Sequence, residues 1–280
     1  MKIYLAKYEP DRIGGGWSFQ RNFAKGLGDN LTLNYGEADI YFICNPGQVQ
    51  REDVAAALAD NKKVVLRIDN ALRNSRNRNT GMSRMKDFAE WATMVIYQSE
   101  WAKDYLKPFL EKEGPVILNG VDVSLYSTGQ QKPKGDNILY SRFNRDETKN
   151  WEVARYWFSR YFLTHPNSKL YITGQFSQEL RDGNFDFYNG ENFEYLGVLD
   201  ERNMAKLYAQ CHKFLYTYFN DCCSNSLIEA LVSGCEIVGD EYYRTTGGAK
   251  EIIDKFERTG DRALSIERMT REYLEVLKTL

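Results

Sequence analysis

Lys213-Phe-Leu-Tyr-Thr-Tyr-Phe-Asn-Asp-Cys-Cys-Ser-Asn-Ser-Leu-Ile-Glu-Ala-Leu-Val-Ser-Gly234 runs from a strand, through a short polar turn, into an apolar helix. Lys213–Tyr218 reads as a strand, and Ser226–Val232 carries the apolar run of a helix. A helix that starts directly after a strand presents its first backbone N–H groups, which have no partner inside the helix, to whatever lies beyond the strand's carboxyl end. Its dipole adds partial positive charge there. The stretch therefore predicts an α/β unit with an anion site at the turn. Two carboxylates bracket that site: Asp221 at its lip and Glu229 one turn into the helix. Ser226-x-x-Glu229 also fits a capping box, in which the Glu serves only its own helix.

The same alternation extends in both directions. Towards the N-terminus the expected strands are Ile3–Ala6, Asp39–Cys44, Lys63–Ile68, Met94–Tyr97 and Val116–Leu118. Helices are expected from about Trp17, over Arg51–Ala59, Arg84–Ala92 and Glu100–Leu110. After a polar stretch, Ser127–Asp136, the pattern restarts with strands at Asn137–Ser141, Lys169–Gly174, Phe193–Gly197 and Glu236–Gly239. Helices at Trp151–Phe162, Glu201–Gln210 and Lys250–Phe256 lie between or beyond them. Short apolar strands alternating with helices indicate parallel sheets covered on both faces. Two doubly wound domains follow, 1–126 and 127–265, with a final helix over 266–280 that folds back on the first. Gly14-Gly15-Gly16 opens the first helix and lets backbone approach a phosphate closely.

The 280 residues carry a net charge of −2, which excludes a global basic field. No window approaches the ~18 uninterrupted apolar residues of a membrane helix. The five cysteines lack framework spacing and read as reduced thiols of a cytoplasmic protein. Cys222 and Cys223 beside His212 are poor chelators, since adjacent cysteines do not converge on one ion, and no metal site is expected.

The motifs make the architecture more specific. Asp221-x7-Glu229, Asn119-Gly120-Val121-Asp122, Gly247-Gly248-x-x-Glu251 and Gln98-Ser99-Glu100 together resemble the retaining glycosyltransferases of family four, from end to end and most closely in the second half. The resemblance implies the GT-B fold, with two Rossmann-like domains facing a central cleft, and a nucleoside diphosphate sugar, UDP-linked, as donor. It places Arg142 and Lys149 on the donor diphosphate and Glu229 on the ribose hydroxyls. Asp221, where the family usually has Glu, falls beside the sugar. Gly15, Gly16, Gly174, Asn225, Ser226 and Leu227 complete the implied donor site. Many members carry a first-domain histidine near the sugar. This chain has only His165 and His212, both in the second half, and Asp69 is the residue expected in that place. No cofactor beyond the donor is implied, and two cations on the diphosphate make a divalent metal unnecessary.

Arg67–Lys86 holds six cations, one acid and four asparagines after a strand, a composition suited to phosphate and base-edge contacts. Arg73, Arg76, Arg78 and Arg84 are the candidate acceptor residues. The chain is similar to small phage-encoded relatives that glycosylate 5-hydroxymethylcytosine, which makes duplex DNA the first acceptor to consider. A glycan or lipid-linked sugar is the alternative. A non-catalytic nucleotide-sugar or nucleic-acid binding module is the reading from a different class.

Overall fold

The computed structural model describes residues 1–12, 14–69, 79–127, 136–143, 147–175 and 192–280, with the backbone alone for 79–81 and 147. The chain divides into two units. One comprises Met1–Asp122, Asp221–Asn225 and Arg262–Leu280; the other comprises Val123–Asn220 and Ser226–Asp261.

The first unit is built on five parallel strands, β1 (Ile3–Leu5), β2 (Leu31–Thr32), β3 (Ile40–Ile43), β4 (Lys63–Arg67) and β5 (Met94–Ile96), in the order β2-β1-β3-β4-β5. Strand alternation sends successive side chains to opposite faces. Tyr41, Ile43, Val64 and Leu66 pack with α2 (Arg51–Ala59), α3 (Asn79–Trp91) and α4 (Glu100–Leu110) through Val54, Phe88 and Leu106. Ile40, Phe42 and Val65 point the other way, onto Phe19, Phe23 and Leu27 of α1 (Gly15–Leu27). Met269, Tyr273 and Leu277 of the last helix, Ile266–Leu277, share that second core.

The second unit starts with the short α5 (Val123–Tyr126). Its sheet consists of β6 (Asp136–Phe143), β7 (Ser168–Gly174), β8 (Phe193–Gly197), β9 (Lys213–Leu215) and β10 (Glu236–Val238), all parallel, in the order β10-β9-β6-β7-β8. The helices are α6 (Trp151–Thr164), α7 (Glu201–Gln210), α8 (Asn225–Val232), α9 (Glu241–Thr245) and α10 (Ala249–Thr259). The C-terminal Ile266–Leu277 is α11.

Three expectations need correction. Val116–Leu118 is not a strand: it makes one bridge, Tyr97 to Val116. Pro115 brings no N–H to a ladder, and the carbonyls of Leu118 and Asn119 are taken by the Arg268 guanidinium at 2.9 and 2.7 Å. The chain leaves the first unit at Asp122 rather than after residue 126, because Tyr126 is buried with its ring against Tyr208 of α7. Residues 262–265 and 221–225 belong to the first unit. Val121 bridges Ser265, and Asn119 and Ala102 hold the turn that contains Cys222 and Cys223. The linker residues 128–135 lie outside the described residues.

Candidate functional site

In open parallel sheets the crevice for ligands forms outside the carboxyl ends of the strands where the strand order reverses, because the chain leaves in opposite directions on either side. In the second unit that point lies between β6 and β9, and in the first between β1 and β3.

At the β6/β9 point the end of β6 is irregular. Its register against β7 shifts between Tyr140 and Phe143, and Arg142 within the shift adopts φ 60°, a left-handed backbone on a non-glycine residue. Such a bulge re-aims the side chain it carries, and the conformation costs about 1–3 kcal/mol. Gly174, at the end of β7 with φ +137°, abuts the bulge, and a Cβ there would run into the Phe143 backbone. Tyr218, three residues past the end of β9, fixes the bulge from the other side. Its hydroxyl donates to the Ser141 carbonyl at 2.5 Å and lies 3.0 Å from the Ser141 hydroxyl.

Tyr218 also meets the second cation. The Lys149 ammonium sits 4.1 Å from the centre of its ring, and Lys149 is 7% exposed. Cation–π attraction of this kind is worth about 2 kcal/mol when desolvated. The Lys149 carbonyl accepts from the Tyr140 hydroxyl at 2.8 Å and the Thr217 hydroxyl at 2.9 Å, so its backbone is tied to β6 and to the segment that follows β9. Phe219 follows, its N–H donating to Thr148 O at 2.7 Å, and its half-exposed ring lies over that of Tyr242 on α9.

Glu229 projects from α8. Its carboxylate accepts from the Tyr208 hydroxyl at 3.2 Å and from the Tyr126 hydroxyl. Burial raises its pKa above the usual carboxylate value, while the Arg142 guanidinium and the two hydroxyls pull it back down. An ionised carboxylate accepts at about four lone-pair sites, so two tyrosines leave capacity for a diol. Ser226 and Leu227 lie in the first turn of α8 with Asn225. Within this unit the structure thus joins Arg142, Lys149, Gly174, Ser226, Leu227 and Glu229 at the ends of β6, β7 and β9.

The first unit gathers the other predicted residues. Gly15 and Gly16 form the first turn of α1 after Gly14. Asp69 follows β4, half-buried, and acts electrostatically on the Cys44 thiol, which burial pushes up to about 12. Asp221 closes its own turn by accepting from Cys223 N at 3.2 Å. The Asn119-Gly-Val-Asp stretch divides its work: Asn119 bonds Cys223 and Asn225, and Gly120 passes so close to Ser265 that a Cβ would strike its carbonyl. Val121 exchanges backbone bonds with Leu264 and Ile266, and Asp122 pairs with Lys25. Ser99 caps α4 through Ala102 N, leaving Gln98 free of that duty to join the bonds around Arg67.

The acceptor candidates fare differently. Arg73, Arg76 and Arg78 lie outside the described residues. Arg84 is half-buried, and its guanidinium donates to the carbonyls of Gly47 and Val49 at 3.4 and 3.3 Å, so it fastens a loop rather than lining an open groove. Sequence reasoning also passed over Tyr126, Tyr208 and Tyr218. The i, i+2 spacing of Phe214, Tyr216 and Tyr218 was a usable signal, since it places all three on one face, where their rings meet. Among the described residues no group of three His, Cys, Asp or Glu is arranged to hold a metal ion, and no helix is long and apolar enough to cross a membrane. All five cysteines are buried, and none is in a disulfide.

Solved structures with this arrangement are known. HepE of Anabaena, in complex with UDP, superimposes with a TM-score of 0.73 over 100% of both chains at 14% identity. The fold is GT-B. Other GT-B structures match as fully: AviGT4, a glycosyltransferase of avilamycin A biosynthesis, has a TM-score of 0.66 at 16% identity and covers 100% of this chain and 97% of its own. Sucrose-phosphate synthase from Thermosynechococcus elongatus has 0.65 at 13% identity, covering 98% and 94%. No family model and no curated protein matches the sequence.

Proposed function

We propose that this GT-B protein is a retaining, metal-independent glycosyltransferase that takes a sugar from a UDP-sugar and passes it to a hydroxyl. The observation that carries the reading is the convergence of Arg142, Lys149 and Glu229 on one end of one sheet, with Tyr218 and the first turn of α8 between them. Leaving UDP develops negative charge on the diphosphate. Two fixed cations and a helix N-terminus stabilise that charge without rearranging water, which is where most of the rate gain of such a step arises. Glu229 accepts from the ribose diol. Asp221 holds sugar hydroxyls and supports positive charge at the anomeric carbon, and Asp69 stands where relatives use a histidine. The acceptor oxygen attacks from the face the diphosphate leaves, and the departing phosphate oxygen takes its proton. HepE, whose complexes hold UDP, UDP-glucose, and UDP with glucose, supports the same donor class here.

The acceptor we propose first is 5-hydroxymethylcytosine in duplex DNA, on the Arg/Asn-rich stretch 67–86. A saccharide hydroxyl is the second reading, favoured by Arg84, whose charge is already committed to two carbonyls. The test is titration with UDP followed by mass spectrometry of transfer from UDP-sugars to hydroxymethylated duplex, unmodified duplex and oligosaccharides. Transfer to the modified duplex alone supports the first acceptor, and transfer to a saccharide alone replaces it with the second. No binding of UDP or any other nucleoside diphosphate refutes the donor reading itself.

A further inference from the structure

Beneath the two glycine- and asparagine-bearing turns of the first unit lies a cation that the transfer chemistry does not touch. Arg67, the last residue of β4, is 2% exposed. Its guanidinium lies 3.6 Å over the Phe19 ring, and it donates to three neutral oxygens: Cys44 O at 3.0 Å, Gln98 Oε1 at 2.7 Å and Asn119 Oδ1 at 3.0 Å. Arginine has donors only and stays protonated, so both amides must turn an oxygen towards it. Each amide nitrogen is then left to donate to a further partner. Gln98 Nε2 donates to Ile68 O at 2.7 Å. Asn119 Nδ2 donates to Cys223 O at 3.0 Å and to Asn225 Oδ1 at 2.8 Å, and also lies 3.1 Å from Gln98 Oε1. With its oxygen so engaged, Asn225 has only its Nδ2 for the Gly15 carbonyl, 3.3 Å away. Asn119 N adds a bond to the Cys223 sulfur at 3.3 Å, a thiol that burial pushes up to about 12 and so keeps protonated.

We infer that Arg67 sets the direction of a hydrogen-bond relay, Arg67 to Asn119 to Asn225 to Gly15, that holds the Gly14–Gly16 turn and the Asp221–Asn225 turn in one fixed arrangement. Arg67, Gln98 and Asn119 are positioning residues for donor transfer. The inference rests on the donor reading above, which places Gly15, Asp221 and Asn225 at the reacting sugar diphosphate. A neutral amide chain by itself has two polarities of similar energy, and a buried permanent cation at one end leaves one. Both turns are thereby organised before substrate arrives, and the price of ordering them does not fall on the transition state.

The relay is tested by breaking it at two links without removing Arg67. Asn225→Asp keeps an oxygen for Asn119 Nδ2 but turns a second oxygen on the Gly15 carbonyl. Asn119→Asp keeps an oxygen for Arg67 but loses the donor to Cys223 and Asn225. Each single variant is expected to lose at least tenfold in kcat at saturating UDP-sugar, with UDP affinity within threefold of wild type for Asn119→Asp and a larger loss for Asn225→Asp, whose carboxylate is added at the diphosphate. The double variant is expected to lose no more than the worse single within threefold, because either break disconnects the same chain. Hydrogen exchange of the amides of residues 14–18 and 221–226 is expected to quicken in both. Should either Asp variant fail to fold, Asn225→Ala removes both links at that residue without adding charge. A kcat within twofold of wild type, losses that multiply in the double variant, or losses that vanish when temperature is lowered to restore the folded fraction would each overturn the relay. Failure of the donor reading shows separately, as wild-type protein that binds no UDP, and the exchange measurement still reports on the relay in that case.

Discussion

Replacing Glu229 by Gln distinguishes three roles that one carboxylate could play. The side chain is half-buried on α8, accepts from Tyr208 at 3.2 Å and from Tyr126, and has its pKa raised above 4.5 by burial. A carboxyl whose pKa is higher in the folded chain than in the unfolded one binds its proton more tightly on folding. Its contribution is therefore most favourable below the unfolded value and is lost as pH rises towards the folded value. At pH 7 the ionised group opposes folding on this account. Gln keeps an oxygen for Tyr208 and removes the charge, so Tm at pH 7 should be equal to or above that of wild type, and the difference should shrink as pH falls towards 4.5. Donor binding should move the other way. An acceptor bond from an ionised group is worth about 1.5–3 kcal/mol and a neutral one about 0.5–1.5, so the ribose contact weakens by about 1–1.5 kcal/mol. That is about a five- to tenfold loss of UDP affinity, readable by isothermal titration at pH 7.5. A capping role predicts neither change, since Gln serves a capping box as well as Glu. Unchanged UDP affinity together with a lowered Tm would refute the reasoning and make Glu229 a structural carboxylate.

Lys149→Ala and Arg142→Ala should each weaken UDP binding by about 1.5–3 kcal/mol, the worth of a charge-assisted bond, and titration of the two variants checks it. Asp221→Asn should leave Tm and UDP affinity near wild type, because an amide oxygen still accepts from Cys223 N, while turnover falls at least tenfold; equal losses in affinity and turnover would count against a transition-state role. Activity should survive EDTA, and a loss that Mg²⁺ or Mn²⁺ restores would overturn metal independence. Tyr218→Phe should lower stability by about 1–3 kcal/mol by stranding the Ser141 carbonyl, read by urea unfolding, with the ring under Lys149 retained.

The alternation of strands and helices was most legible where a strand is short, apolar and buried from both sides, as Ile40–Ile43 is. Two places were not legible, and for different reasons. Val116–Leu118 has strand composition, but its carbonyls are satisfied by Arg268, about 150 residues onward, a partner no local pattern reveals. Arg67 looked like one more cation in a basic stretch, although its position at the end of β4 turns it inward onto Phe19. Arg142, Lys149 and Glu229 were named from the family resemblance, and the structure brings all three to strand ends of one sheet. The tyrosines that position them were not so named. Tyr126, Tyr208 and Tyr218 arrive from three different elements and meet only after folding.

The left-handed backbone at Arg142 has a consequence for how this sequence can change. Glycine would sit there without steric penalty, and the relief of about 1–2 kcal/mol exceeds the entropy that a glycine adds to the unfolded chain, about 0.5–1 kcal/mol. A library of variants selected only for survival of heating should therefore drift to glycine at this position and lose transfer as it does so. Related sequences that keep a cation at the bulge and those that have exchanged it for glycine would divide into chains still under selection for turnover and chains retained for binding or shape alone.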